Sequence, residues 1–181
     1  DMINHILSST PFDTKVILRS HYATREFSLR EFTKGPGETM IERQELLTEV
    51  VIKLPPDNTK MRFIKVTRRN ASSVSLLNIT CALQLKDDSI GEARIAVGAI
   101  LPVAKRLIVV ETFLLNKIPS EELFREAGQL AREAVLKEVE EEKLGDKELL
   151  YDYKLDILPG LVQKILKETI ESEGQVWKRY D

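Results

Sequence analysis

The sequence predicts an α+β fold, an antiparallel sheet packed against C-terminal helices. Three observations predict it. Two alternating apolar runs, Leu77 to Leu85 and Ala93 to Leu101, flank a short polar turn, as a hairpin does. From Pro119 onward the apolar period changes to that of helices. All strand signals precede all long helix signals, which is the α+β order.

The elements follow in chain order. Lys15–Arg19, KVILR, reads as a short strand, and HYATREFSL after it as its hairpin partner, with His21 to Thr24 near the turn. Gly35, Pro36 and Gly37 make a loop of SLREFTKGPGET. Leu46 to Leu54 is a half-buried strand with Leu46, Val50, Ile52 and Leu54 on one face and Glu49 and Lys53 on the other. Pro55-Pro56-Asp57-Asn58 stops it, because two prolines cannot donate to a ladder. The domain boundary is set here, giving units 1–56 and 57–181.

In the second unit, Met61 to Thr67 is extended. Leu77, Ile79, Cys81, Leu83 and Leu85 share one strand face, opposite Asn78, Thr80 and Gln84. Lys86-Asp87-Asp88-Ser89 turns the chain, and Ile95, Val97, Ala99 and Leu101 line the returning strand, which Pro102 ends. Gly98 weakens that strand but permits close approach of a backbone or ligand. Ser120 is an N-cap, with Glu121 and Glu122 in the first turn and Leu123, Ala127, Leu130 and Ala134 at helical spacing. Glu121–Arg125 and Glu133–Lys137 are spaced as i,i+4 pairs, and Gly145 lies past the helix end. The acid-rich Glu138 to Lys143 is a solvated helix end. A last helix carries Leu158, Leu161, Val162, Ile165 and Leu166, with Pro159 near its start.

Composition narrows the function. The 181 residues are 43% hydrophobic, enough for a core, and 31% charged at net −2, without the basic excess of a nucleic-acid binder. No apolar run approaches the roughly 18 to 20 residues that span a bilayer, and DMINHILSST is no signal peptide. The initial Asp suggests that residues upstream are not included. Cys81 has no partner for a disulfide, which points to a reducing, cytoplasmic setting, and its strand position makes it a core residue rather than a nucleophile. His5 and His21 have no ligand-spaced companions, so no metal site is expected. No phosphate loop, dinucleotide fingerprint or nucleophile motif is present.

One stretch stands apart. FIKVTRR, Phe63 to Arg69, puts Lys65, Arg68 and Arg69 within five residues beside a core strand. Read alone, it is an exposed basic turn. Its order, however, resembles the F-x-K-x-x-R-R stretch of the FAD-binding subunit of molybdenum hydroxylases, the family of xanthine dehydrogenase and aerobic carbon monoxide dehydrogenase. Ala93 to Pro102 is similar to that family's A-R-I-A-L-G-G-V-A-P, Arg106 falls on a frequent family arginine, and Glu111 to Lys117 resembles E-x-x-L-x-G-K. Tyr153-Lys154 with Leu158-Pro159-x-Leu161 resembles Y-R-x-x-L-x-P-x-L. Upstream, Phe32 to Thr39 resembles F-x-x-G-P-G-x-T, and Glu45 to Val50 resembles E-L-I-x-E-V. Almost the whole chain is covered, by motifs that are individually short but keep their order.

The resemblance implies that 1–56 is the tail of the FAD-binding domain and 57–181 a carbon monoxide dehydrogenase flavoprotein C-terminal-like domain. It implies FAD as cofactor, with Lys65 as the point charge near the ring, Arg68 or Arg69 at the flavin edge or on a neighbouring subunit, Leu46 and Leu47 in apolar contact, and Asp1 helping to hold the flavin. A cation there favours the reduced ring. The implied partners are a molybdopterin-containing large subunit, an iron–sulfur small subunit and the missing N-terminal half of the flavin domain, with neither nucleic acid nor membrane. That half carries the family's glycine-rich phosphate loops, so the flavin site of this chain alone is incomplete, whether the chain is a fragment, a split gene product or a proteolytic remnant. Departures are Ser72 and Ser73 near a usual acid, Ala99 for the second glycine of G-G, Ala104 for a second proline, and two extra residues between Glu45 and Pro55. The competing reading is a flavin-free interaction or assembly domain of the same fold.

Overall fold

A computed structural model describes residues 12–53, 55–56, 58–68, 75–141 and 149–172, with the side chains of 149–151 left aside. Two antiparallel sheets follow one another. The first has the order β2-β1-β5, with β1 (Thr14–Arg19), β2 (Thr24–Ser28) and β5 (Leu46–Ile52). Between β2 and β5 lie a one-turn helix α1 (Leu29–Phe32) and the small ribbon of β3 (Thr33–Gly35) and β4 (Glu38–Thr39). Ser28 caps α1 in a capping box: its hydroxyl accepts from the Glu31 N–H, and the Glu31 carboxylate accepts from the Ser28 N–H. The sequence predicts only a loop here, because the cap lies just upstream of its glycines.

The second sheet has the order β6-β7-β8-β9: β6 (Thr59–Thr67), β7 (Ser75–Lys86), β8 (Ser89–Gly98) and β9 (Lys105–Arg106). Asp87 and Asp88 turn β7 into β8 with φ of 49° and 63°, the positive values that a two-residue hairpin of matching twist needs. Three helices cover one face: α2 (Ile108–Leu114), α3 (Glu121–Glu141) and α4 (Leu149–Glu171). Leu77, Ile79, Leu83, Ile95 and Val97 meet Leu123, Phe124, Ala127, Leu158, Ile165 and Leu166 in the main core. Cys81 lies in it, hydrogen-bonded to Thr169, and burial pushes its thiol up to about 12, so it is an inert core residue as the strand pattern predicts.

Several details differ from the sequence reading. β8 ends at Gly98 rather than Leu101, because Ala99 turns into the left-handed region at φ 64°. Pro159 is inside α4, since Leu155 extends the apolar face a turn upstream of it. It sits where α3 and α4 cross: a Cβ on Gly128 would lie 2.6 Å from the Pro159 carbonyl oxygen, so glycine sets the helix spacing. Ser120 does cap α3, its hydroxyl accepting from the Leu123 N–H at 3.1 Å. Glu121, however, pairs with Lys167 of α4 at 2.8 Å, Arg125 with Glu122 three residues before it, and Lys137 with Glu141 four residues after it. Gly145 and Leu54 lie outside the described residues. No described helix is long and apolar enough to cross a membrane.

Strand β5 corrects a face assignment. Its register with β1 shifts between Ile17 and Leu18, so Val50 and Ile52 pair with Val16 and Thr14, while Leu47, not Leu46, pairs with Leu18. One extra residue in one strand exchanges the faces beyond it. Leu46 therefore turns outward, and Leu47 packs on the small core of Val16, Leu18 and Phe32.

Candidate functional site

The helix-free face of the large sheet is built in rows. Ladder pairing puts Lys65, Asn78 and Gly98 side by side on β6, β7 and β8, and the next row is Phe63, Thr80 and Ala96, with Arg106 of β9 beyond. Alternation forces this: the odd residues of β7 fill the helix-covered core, so its even residues share the other face. Asn78 and Thr80 are buried there, so both faces of β7 are removed from water at this level. Among the described residues, the Asn78 Oδ1 and Thr80 Oγ1 have no hydrogen-bond partner. Each is a buried polar atom whose desolvation, of about 1–3 kcal/mol, no described residue offsets. The Asn78 amide lies over Gly98, where a Cβ would come within 2.5 Å of Oδ1. The close approach expected at Gly98 is thus by an amide of its own sheet.

At the β6 end of these rows, Lys65 and Phe63 are exposed. Arg68 is exposed just past the end of β6, so Lys65 and Arg68 share one end of that strand. Nearby, Lys154 of α4 donates from Nζ to the Ala99 carbonyl at 2.5 Å. Partial burial, then the charge of Arg68, holds its ammonium below the usual lysine range. Leu46 and Leu47 belong to the other sheet and face opposite ways. Arg69 and Asp1 lie outside the described residues.

One buried ion pair ties each sheet to its surroundings. Glu111 of α2, buried, accepts from the Ile95 N–H at 2.8 Å and from Arg106 at 2.6 and 3.0 Å, tying α2 to β8 and β9. In the first sheet, Glu45 accepts from Arg25 Nε at 2.7 Å and Nη2 at 2.6 Å, and Arg25 also donates to the Met40 carbonyl. That hydrogen bond holds the Glu45 carboxyl below the usual range. Sequence reasoning named Arg106, Glu111 and Glu45 only as matching positions; their role is to fix the elements around the sheet. Asn78 was missed, since a polar residue at an alternating position reads as solvent-facing. Among the described residues, no group of three or more His, Cys, Asp or Glu could hold a metal ion.

Comparison with known proteins identifies the fold. Residues 62–169 match the family model of the CO dehydrogenase flavoprotein C-terminal domain. The chain is similar to the glyceraldehyde dehydrogenase medium chain of Sulfolobus acidocaldarius, 27% identical over 117 residues, which are 65% of this chain and 41% of that one. It is also similar to the nicotinate dehydrogenase FAD-subunit of Eubacterium barkeri, 28% identical over 85 residues, 45% of this chain and 29% of the other. Its fold superposes on a chain of the carbon monoxide dehydrogenase of Hydrogenophaga pseudoflava with a TM-score of 0.77, at 20% identity, over 92% of this chain and 55% of that one. The fold likeness thus extends beyond the family match, while this chain spans only about half or less of the length of these relatives.

Proposed function

The chain belongs to the family of the CO dehydrogenase flavoprotein C-terminal domain, and from that premise we propose that it seats the flavin of a molybdenum-hydroxylase-type oxidoreductase. The observation that carries this is the row Lys65–Asn78–Gly98 on the face of the large sheet away from its helices, exposed at Lys65 on the edge strand and buried at Asn78 and Gly98. Its exposed edge suits the ring end of FAD. It carries an exposed cation and an exposed aromatic side chain, beside two buried polar atoms without partners among the described residues.

Lys65 supplies a fixed positive charge beside the ring, and Arg68 and Arg69 support its edge or a neighbouring subunit. Leu46, which faces outward, gives apolar contact, whereas Leu47 is taken up by the small core; Asp1 helps to hold the cofactor. When bound, FAD supplies electron acceptance and release, passing electrons from an iron–sulfur subunit to NAD or another acceptor; a molybdopterin-containing large subunit oxidises the substrate. The phosphates of FAD are held by the remaining half of the flavin domain, and the division between that domain and the C-terminal one falls at Pro55-Pro56.

The test is a titration of the full chain with FAD, read by flavin absorbance and heat of binding. Saturable binding is expected, weakened roughly tenfold by Lys65→Ala, about 1.4 kcal/mol, and largely kept by Lys65→Arg. Binding that ignores both substitutions overturns the role of Lys65. Absence of binding overturns an autonomous flavin seat and leaves the chain as the closing domain of a larger flavin subunit; the second reading, a flavin-free assembly domain, is supported by the exposed apolar side chains of β5.

A further inference from the structure

A cleft of about 540 Å³ opens where the small sheet meets the large one. Its size is that of a small-molecule site, and such sites recur at junctions between units. The small sheet contributes the start of β1 and the turn into α1, where Lys15 pairs with Ser28 across the ladder and Arg30 follows two residues on. The large sheet contributes the β8–β9 connection, β9 and the first turn of α2, and α3 adds Val135 and Glu138. Part of this lining is core: Leu101, Leu107 and Val135 are buried. At α2 it is not: Ile108 is 54% and Val109 56% exposed. Covering an aliphatic side chain of this size is worth about 1.5–3 kcal/mol.

Four cations line the same cleft, Lys15, Arg30, Lys105 and Arg106, against the carboxylates of Asp13 and Glu138. Lys105 is taken by Glu138 and Lys15 by Glu26. Arg106 is oriented by the buried Glu111, which accepts from its Nε and Nη2. A guanidinium has five N–H donors, so the Nη1 pair remains for another acceptor. Arg30 is exposed and makes no ion pair among the described residues. The cleft thus joins an exposed aliphatic wall to one pre-oriented and one unpaired arginine.

We propose that this cleft binds an organic carboxylate with an apolar body, its carboxylate on Arg30 and Arg106 and its body over Ile108 and Val109. An inorganic anion would leave the two aliphatic side chains in water, and a neutral apolar molecule would leave the arginines unused. Arginine suits a carboxylate because its planar fork matches the two oxygens. Glu26 and Glu111, which neutralise Lys15 and Arg106, do not line the cleft, so the lining itself presents donors in excess. Asp13 and Glu138 do line it, but each has a cation of its own, Arg94 at 3.9 Å and Lys105, which lowers their repulsion of an incoming anion. Leu46, the proposed flavin contact, pairs with Arg19 at the far end of β1, whereas the cleft takes Thr14 and Lys15 at its start. A ligand here touches both sheets at once and ties the small one to the large.

The probe is octanoate, titrated into the full 181-residue chain and followed by backbone amide shifts in NMR spectra. Saturable shifts are expected at Lys15, Arg30, Ile108 and Val109, with the amides of β6 and β7 as unmoved reference. Acetate and n-octanol each carry one half of the recognition, and each should bind at least about tenfold more weakly. Arg30→Gln, a change at an exposed side chain, should weaken octanoate roughly tenfold and leave n-octanol where it was. Val109→Asp should weaken both. Unaltered β7 and β8 amides in the two variants show that they fold. Octanol bound as tightly as octanoate overturns the anion site, and so does an Arg30→Gln chain that binds octanoate normally. Shifts scattered over both sheets mean an adventitious additive only and overturn the site as well. No shift at all gives the cleft to other residues of the chain or to a partner protein, and overturns it too.

Discussion

The two sheets of this chain are held together by very different means. In the large sheet, β7 lies between two partners and beneath two long helices, and Leu77, Ile79, Leu83, Ile95 and Val97 are wholly buried. In the small sheet the buried apolar residues are Val16, Leu18 and Phe32, and its third strand is half open to water. Hydrophobic stabilisation scales with the apolar area removed from water. The large sheet is therefore expected to be a cooperative unit, and the small one a local structure tied down by ion pairs and a small core. One chain thus carries a well-packed platform and a thinly packed sheet, and substitutions should separate them.

The strongest way to break the platform is at the helix crossing. Gly128→Val puts a branched side chain where even a Cβ meets the Pro159 carbonyl at 2.6 Å, and backbone cannot rotate away. Overpacking of this kind costs about 3 kcal/mol or more. A fall of roughly 10 °C in the melting temperature is expected, and an unchanged Tm would show that α3 and α4 do not cross so closely. Glu111→Ala comes next. It leaves the Ile95 N–H without an acceptor and strips Arg106 of its carboxylate, for about 2–3 kcal/mol, less than for a fully buried pair because Arg106 is partly solvated. Glu111→Gln, which keeps an acceptor oxygen, should recover part of that loss in the same denaturant titration.

Phe32→Ala tests the other side of the comparison. It removes the largest side chain of the small core. If the two sheets are separate units, amide protection vanishes from β1 and β2 while β7 and β8 keep theirs, and the main thermal transition moves by less than about 2 °C. A single transition that shifts as a whole would join the two sheets into one cooperative unit. Acid should act on the same sheet. The Glu45 carboxyl is lowered by its hydrogen bond from Arg25, so the contribution of the pair is present above about pH 4.3, the unfolded carboxyl value, and is lost as pH falls through the lower folded value. The β1–β2 amides should lose protection in that window before those of β7–β8, and Arg25→Lys, which cannot make the two-pronged contact, should move the loss to higher pH.

How much of this was legible in the sequence follows the same division. The β7–β8 hairpin and the cap of α3 could be read because period and local chemistry agree there: Leu77 to Leu83 alternate, and Ser120 stands one residue before the helix. Pro159 misled because proline was weighed locally, while the crossing with Gly128, thirty-one positions away, holds the helix around it. Leu46 misled because a bulge against β1 is set by pairing, which no single strand records. Within the candidate site, the basic stretch was visible as a motif, but the buried amide beneath it was not. Burial of Asn78 depends on its neighbours across two strands rather than on its own alternation.

The smallest effect should come from Ala99, and it sharpens the comparison at the rim of the platform. Ala99 takes φ 64°, a region in which a Cβ crowds the following carbonyl. The turn is held there from outside: its carbonyl accepts from the half-buried Lys154, and Ile100 and Leu101 after it are buried in the main core. The resemblance puts a glycine at this position, which is the residue such a backbone favours. Ala99→Gly relieves the crowding but loosens the unfolded chain, so a net gain of about 0.5–1 kcal/mol is expected, near 2 °C in Tm. A loss of stability instead would mean that the core contacts of Ile100 and Leu101, and not the left-handed residue, set the geometry of the turn. Then the strain at Ala99 would be absorbed by the platform at no measurable cost, as a well-packed sheet can do and the small sheet, with so little core, cannot.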